Sequence, residues 1–372
     1  MKLGYKNIKA NVPRFGSLNI FFDAGSKVEV PGNRGISHLA EHLICKSFED
    51  IDEKLNAAGI NFNATTSEDY VNFYFNGLNE NIKLYEEHIL KLFKYVPSKE
   101  DFEKEKKIVL AEYSQSFSKP SSMFTNLSRK YFNRYGPIGF RKDIEEITYE
   151  EYKYFQYRYF STPMFVLRVG DTNFNSYYER TLCYSKSPSK EYVENDYGDE
   201  FLEFYTSTKN PLVGHWFTTD IPQKDLDFIS MYLSDGLSSP LYQELREKTG
   251  YVYYTASSDL FPGKSRPFVI YYECEKKNLK HTKKAIKNMF KKLELSKERF
   301  ENIKMKIRSE MIKSDILNHE PKFARNECED EKFTEEYFTE LTFEKFSIMM
   351  KEFAKNFLRN NKIAIAEKGL KL

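Results

Sequence analysis

The sequence predicts an α+β protein made of two similar domains. Three observations carry that expectation. A chain of 372 residues is longer than one ordinary domain and long enough to bury two cores. Strand-like and helix-like stretches follow one another in both halves, in a comparable order. A polar segment, 184–200 (YSKSPSKEYVENDYGDE), with Ser, Pro and Gly but few apolar residues, separates the halves. The expected domains are residues 1–185 and 186–372.

In the first half, 17–24 (SLNIFFDA) has strand composition and stops at Gly25. The run Pro31-Gly32-Asn33-Arg34-Gly35 is a loop, and Ser37 is the expected N-cap of a helix over 38–47. A short helix follows over 52–58, closed by Gly59. Residues 60–75 (INFNATTSEDYVNFYF) alternate in polarity and are rich in β-branched and aromatic side chains, predicting paired strands. Apolar residues return at helical spacing over 82–95 and 99–117. Gly136-Pro137-Ile138-Gly139 breaks the chain, Thr148 and Glu151 form a capping box for a helix reaching Phe160, and 164–169 is a strand. In the second half, 212–218, 251–257, 267–274 and 363–366 read as strands. Residues 224–234, 239–247, 276–293, 297–318 and 343–358 read as helices.

Composition excludes several classes of function. Lys and Arg number 57 against 55 Asp and Glu, so a net charge of +2 gives no global field for nucleic acid or an anionic membrane. The longest apolar runs, such as 268–272, fall far short of the roughly 20 residues a membrane helix needs. The N-terminus has Lys2, Lys6 and Lys9 but no apolar stretch of a secretory signal. Cys45, Cys183, Cys274 and Cys328 are scattered without C-x-x-C pairing, as expected of reduced thiols in a cytoplasmic protein. The lysine-rich helix 276–292 carries an apolar stripe of Leu279, Ile286, Met289 and Leu293, and its basic side reads as a solvated face. His215-Trp216 reads as buried structure, and no phosphate-binding glycine loop is visible.

One pentapeptide carries chemistry. Residues 38–42 read His-Leu-Ala-Glu-His. On a helix, His38 and His42 stand four apart on one face, and Glu41 borders it. Two imidazoles beside a carboxylate supply nitrogen ligands for zinc and a base for water, and the order H-x-x-E-H is the inverted zincin motif. A catalytic zinc takes a third protein ligand. Within 105–112, Glu105 and Glu112 share a helical face, with Ile108 and Val109 between them expected to turn toward the core. Glu112 is the better candidate, so that one carboxylate ligates while the other orients a ligand from behind. Glu41 then serves as general base.

At this point the chain resembles the pitrilysin/insulinase family of zinc metallopeptidases. Ala24-Gly25-Ser26, Glu29 and Gly35-Ile36-Ser37-His38-Leu39-Ala40-Glu41-His42 follow its first motif in order. Gly59 to Thr66 is similar to its Asn-Ala-x-Thr segment. The helix 105–112 is similar to the one bearing its distal ligand, and Tyr135 to Gly139 and Val169-Gly170-Asp171 also fit. In the second half, 238–253 (SSPLYQELREKTGYVY) resembles the family's Arg/Tyr motif. The resemblance implies two homologous α+β domains, each a mainly antiparallel sheet flanked by helices. It implies one zinc ion per chain, held by His38, His42 and Glu112, with Glu105 behind them and Glu41 as catalytic base. It also implies a peptide substrate added as a strand beside Asn63 and Ala64, with Arg246 and Tyr253 of the second domain holding it and stabilising the oxyanion.

The expected activity is zinc-dependent cleavage of peptides or unfolded segments inside a closed chamber, either in general peptide turnover or in removing a leader peptide. The alternative is a non-catalytic peptide-binding subunit of a heterodimeric peptidase. Full-length members join two such halves, so a homodimer is expected, one subunit's zinc facing the partner's Arg246 and Tyr253. Two departures stand out: Pro240 replaces a common Arg, and little chain precedes the first strand, so an edge strand is expected to be missing.

Overall fold

The computed structural model describes residues 4–9, 15–118, 122, 136–170, 202–205, 210–259, 266–317 and 333–367. The chain divides into two compact units, each built on a five-stranded sheet. The expected linker, the 185/186 boundary, Cys183, Cys328, Tyr135 and Asp171 lie outside the described residues.

The first sheet has the order β1-β5-β2-β4-β3, from β1 (Gly4–Lys9), β2 (Phe15–Phe22), β3 (Asn61–Thr66), β4 (Val71–Leu78) and β5 (Phe165–Gly170). All its pairings are antiparallel except β1 with β5. The edge strand expected to be missing is therefore present as β1. Its sequence, GYKNIK, is short and polar, which hid it. On β2, Leu18, Ile20 and Phe22 alternate onto one face and join Val71, Phe73 and Phe75 of β4 in the core. That face is covered by α1 (Ile36–Lys46), α3 (Asn79–Leu92), α4 (Lys99–Ser118) and α6 (Tyr149–Phe160), with α2 (Glu49–Ala57) and α5 (Arg141–Glu146) beside them. Phe22, Phe73, Phe93 and Phe160 meet edge to face or tilted in this core.

The second sheet repeats the plan with the order β6-β10-β7-β9-β8. Its strands are β6 (Leu202–Tyr205), β7 (Leu212–Thr219), β8 (Val252–Asp259), β9 (Arg266–Cys274) and β10 (Lys362–Glu367). Again one pair, β6 with β10, is parallel and the rest are antiparallel. Its helices are α7 (Gln223–Ser234), α8 (Pro240–Tyr242) running into a π-helical segment (Gln243–Glu247), α9 (Leu279–Lys291), α10 (Lys297–Leu317), α11 (Glu335–Glu340) and α12 (Phe343–Asn360). The helix expected over 239–247 is thus only one α-turn before it widens. Pro240 sits at the first helical position after the Ser239 cap, where a missing N–H is harmless. His215 and Trp216 are fully buried, and Ile286 and Met289 of the lysine-rich helix face the core. No helix among the described residues is long and apolar enough to cross a membrane.

Candidate metal centre and active site

The helix that carries the motif begins in an unusual way. Ser37 is not its N-cap. Gly35 is, at φ 103°, and its missing Cβ would fall 2.7 Å from the Ile144 side chain. The exposed amides at this end are satisfied from outside the helix: Gly35 N–H and Ser37 N–H donate to the two oxygens of buried Glu29, each at 3.0 Å. A carboxylate there also complements the helix dipole. The preceding loop is tied to α5 by the Arg34 guanidinium on Asp143, which also accepts from Gly32 N–H at 3.0 Å. Burial would push the Asp143 carboxyl up, but Arg34 and these amides hold it below its ordinary value. Leu39, Ala40, Leu43 and Ile44 then pack into the core, leaving His38, Glu41 and His42 on the partly open side.

His38, His42 and Glu112 converge. The two imidazole Nε2 atoms lie 3.6 and 3.5 Å from the same Glu112 oxygen. Those spacings are too long for good hydrogen bonds. They match the separation of two ligands on a tetrahedron whose arms are 2.0–2.1 Å, an edge of about 3.4 Å, so the donor set fits zinc. Glu112 is the open member, with 42% of its side chain exposed against 16% and 18% for the imidazoles. Behind the cluster, His42 Nδ1 donates to Glu105 at 3.4 Å, which turns Nε2 toward Glu112. His38 has no such partner at Nδ1 among the described residues; its ring stands edge-on to His42, centroids 4.7 Å apart. Burial, reinforced by neighbouring His42, holds His38 down at about 3, so its imidazole is neutral and able to ligate at physiological pH.

Glu41 lies beside the cluster and accepts a hydrogen bond from the Thr66 hydroxyl at the end of β3. Burial pushes its carboxyl above the ordinary range, against the opposing pull of Thr66 and His42. Asn63 and Ala64 sit on β3, the outer strand of the sheet, and the Asn63 side-chain oxygen accepts from Ala64 N–H at 2.8 Å. Val109 is buried as expected, but Ile108, on the same face of α4 as Glu105 and Glu112, is exposed.

In the second unit the structure brings Arg246 and Tyr253 together. The Arg246 guanidinium carbon lies 4.9 Å from the Tyr253 ring centroid, and Nη1 donates to the Tyr253 carbonyl at 3.3 Å. The sequence marked Glu29 and Thr66 only as parts of a pattern; their bonds join residues 6 to 25 positions apart, which no local signal announces. Arg34 with Asp143, 109 positions apart, was not singled out at all.

Residues 8–137 match the family model described as insulinase, peptidase family M16, and residues 212–307 match the one described as the peptidase M16 inactive domain. An uncharacterised zinc protease of Rickettsia bellii is 24% identical over 343 residues, covering 84% of this chain and 82% of its own. One from Rickettsia felis is 23% identical over 337 residues, with the same coverage. Among solved structures, a protease from Helicobacter pylori superposes with a TM-score of 0.75 at 20% identity, over 99% of this chain and 98% of its own. A peptidase M16 inactive domain from Pseudomonas fluorescens gives 0.72 at 15% identity, over 99% and 96%. Two sheets of one topology, an inverted zincin helix in the first, and family matches in both halves lead to one conclusion: the chain belongs to the insulinase family, peptidase family M16.

Proposed function

We propose that this protein is a zinc-dependent endopeptidase acting on peptides or unfolded segments. The observation that carries the reading is the convergence of His38, His42 and Glu112, with Glu41 next to it. A zinc ion in that site supplies positive charge that polarises a carbonyl and acidifies a water molecule. Glu41 accepts a proton from the attacking water and returns it to the leaving amine. A carboxyl raised by burial suits both halves of that transfer, being basic enough to take the proton and acidic enough to give it back. Thr66 donates to Glu41 Oε2, which leaves Oε1 as the oxygen that handles the proton.

The substrate lies along β3 as an added strand, held by main-chain hydrogen bonds that are indifferent to sequence. Asn63 must release Ala64 N–H for that pairing. Arg246 and Tyr253 grip the peptide and stabilise the developing oxyanion. The working assembly is a homodimer enclosing a chamber, in which one subunit's metal cluster works with the partner's Arg246 and Tyr253.

Hydrolysis of a quenched fluorescent peptide tests the reading. The wild type cleaves; a chelator abolishes cleavage and zinc restores it. Glu41→Gln lowers kcat by about 10³-fold with the fold intact. Chelator-insensitive cleavage, or full activity in Glu41→Gln, would contradict the mechanism. No cleavage of any peptide by the zinc-loaded protein would favour a non-catalytic peptide-binding subunit instead.

A further inference from the structure

Two local irregularities of the second unit meet at Arg246. The helix that carries it is α-helical for only Pro240–Tyr242 and π-helical over Gln243–Glu247. A π-turn accommodates one extra residue in a helix and is frequent at functional sites. Opposite, β8 is bulged: Val252 pairs with Cys274 but Thr255 pairs with Tyr272, so three steps on β8 face two on β9. A bulge also inserts one residue, and it re-aims side chains. The bulged residues are Tyr253 and Tyr254, and Tyr253 is 80% exposed. Each irregularity costs regular hydrogen bonding, and the two are joined by the bond from Arg246 to the Tyr253 carbonyl.

What they assemble is a three-part stack. The Arg246 guanidinium carbon is 4.9 Å from the Tyr253 ring centroid and equally 4.9 Å from the ring of Tyr242. A planar cation within about 6 Å of two aromatic centroids is held by both rings. Those contacts leave the N–H edge free to donate, apart from the bond of Nη1 to the Tyr253 carbonyl. The stack is anchored: Leu241 and Leu245 are fully buried, the Ser239 hydroxyl accepts from Tyr242 N–H at 3.4 Å, and Gln243 Nε2 donates to Leu237 O at 2.8 Å.

We propose that Tyr242 is a positioning residue for substrate binding, its ring fixing the guanidinium of Arg246 against Tyr253 so that the arginine meets the peptide in one orientation. This rests on the reading of Arg246 as a substrate-gripping group. Loss of one cation–π contact corresponds to a drop of about fivefold in kcat/KM.

The test compares kcat and KM for peptide cleavage by the wild type, Tyr242→Leu, Tyr242→Phe, Arg246→Ala and the Tyr242→Leu/Arg246→Ala pair. Alongside it, the Nε–Hε resonance of Arg246 is followed by NMR, identified by its loss in Arg246→Lys. Tyr242→Leu lowers kcat/KM about fivefold, in whichever parameter Arg246→Ala changes. Tyr242→Phe, which keeps the ring, stays within about twofold. The double variant is no worse than Arg246→Ala alone, and the Arg246 resonance loses its ring-current shift in Tyr242→Leu only. Full activity in Tyr242→Leu, or an effect that multiplies with that of Arg246→Ala, overturns the proposal. If the wild type cleaves nothing, the peptidase reading fails; an Arg246 resonance indifferent to Tyr242→Leu then overturns the stack separately.

Discussion

The two units share a topology strand for strand, yet only the first gathers metal ligands among the described residues. The helix following the second strand of each sheet shows why. In α1 the buried residues include Leu39, Ala40, Leu43 and Ile44; in α7 they include Phe228, Ile229, Tyr232 and Leu233, the same spacing. Superposed by that buried face, His38, Glu41 and His42 correspond to Asp227, Ser230 and Met231. Where Glu41 meets Thr66 of β3, the Ser230 hydroxyl donates to Ser257 O of β8 at 2.6 Å, and the Ser257 hydroxyl donates to Ser234 Oγ at 3.0 Å. Asp227 accepts from Gln223 at 3.1 Å. The second unit thus closes with local hydrogen bonds the same side that the first leaves open for an ion. Packing phase fixes the fold, and the residues one step off that phase are free to become chemistry or not.

The irregularities are distributed in reverse. β3 pairs with β4 without a break from Asn61 to Thr66, whereas its counterpart β8 is bulged. The candidate residues of the first unit stand on a regular helix and strand, and Arg246 and Tyr253 of the second stand on a π-turn and a bulge.

The sharpest way to break the comparison is at the start of the motif helix. α1 begins on Gly35 at φ 103°, while α7 begins on Pro222 at φ −54°. Gly35→Ala forces a left-handed residue and a 2.7 Å contact on Ile144, and we expect a loss of about 3 kcal/mol in chemical denaturation. Zinc affinity should fall with it, because Glu29 reads the same turn. A variant as stable as the wild type would show that the turn is not under that constraint.

A second, pH-dependent effect concerns the buried histidine of the second unit. His215 Nδ1 donates to Asn361 Oδ1 at 2.9 Å, and Nε2 lies 3.1 Å from the Tyr272 hydroxyl. Burial holds this imidazole down at about 4, from an ordinary 6.5. Because the folded pKa is depressed, the unfolded chain takes up a proton first as pH falls. The stability contribution is whole above about 6.5 and is lost progressively toward 4, by up to about 3 kcal/mol at 1.36 kcal/mol per unit. In His215→Gln that part of the pH dependence should disappear from unfolding midpoints measured between pH 4 and 7. An unchanged slope would place the titration elsewhere.

Much of this was legible in the sequence, and the exceptions have physical causes. The apolar strands and long amphipathic helices announce themselves, because burial against a core imposes a period. The Thr148–Glu151 capping box was read correctly, since both partners lie within one turn. Ser37 has the composition of a cap, but the actual partner of the helix end, Glu29, reaches it through space. β1 and β6 lie at the sheet edges, paired in parallel with β5 and β10; both are short, and β1 is largely polar. The π-turn and bulge are single-residue insertions, which leave no trace in composition. His38 and His42 stand out by spacing alone, and Glu112 is a candidate from its helix that the resemblance then supports, but the convergence of all three on one point is visible only in the fold.

The first unit is expected to hold a single zinc ion through His38, His42 and Glu112. Isothermal titration of the metal-stripped protein with zinc, checked by elemental analysis of the loaded protein, tests it most directly. The prediction is one tightly bound zinc per chain, lost in His42→Ala and in Glu112→Gln and kept in Met231→Ala. Zinc retained at full occupancy in both His42→Ala and Glu112→Gln, or no zinc bound by the wild type, would contradict it.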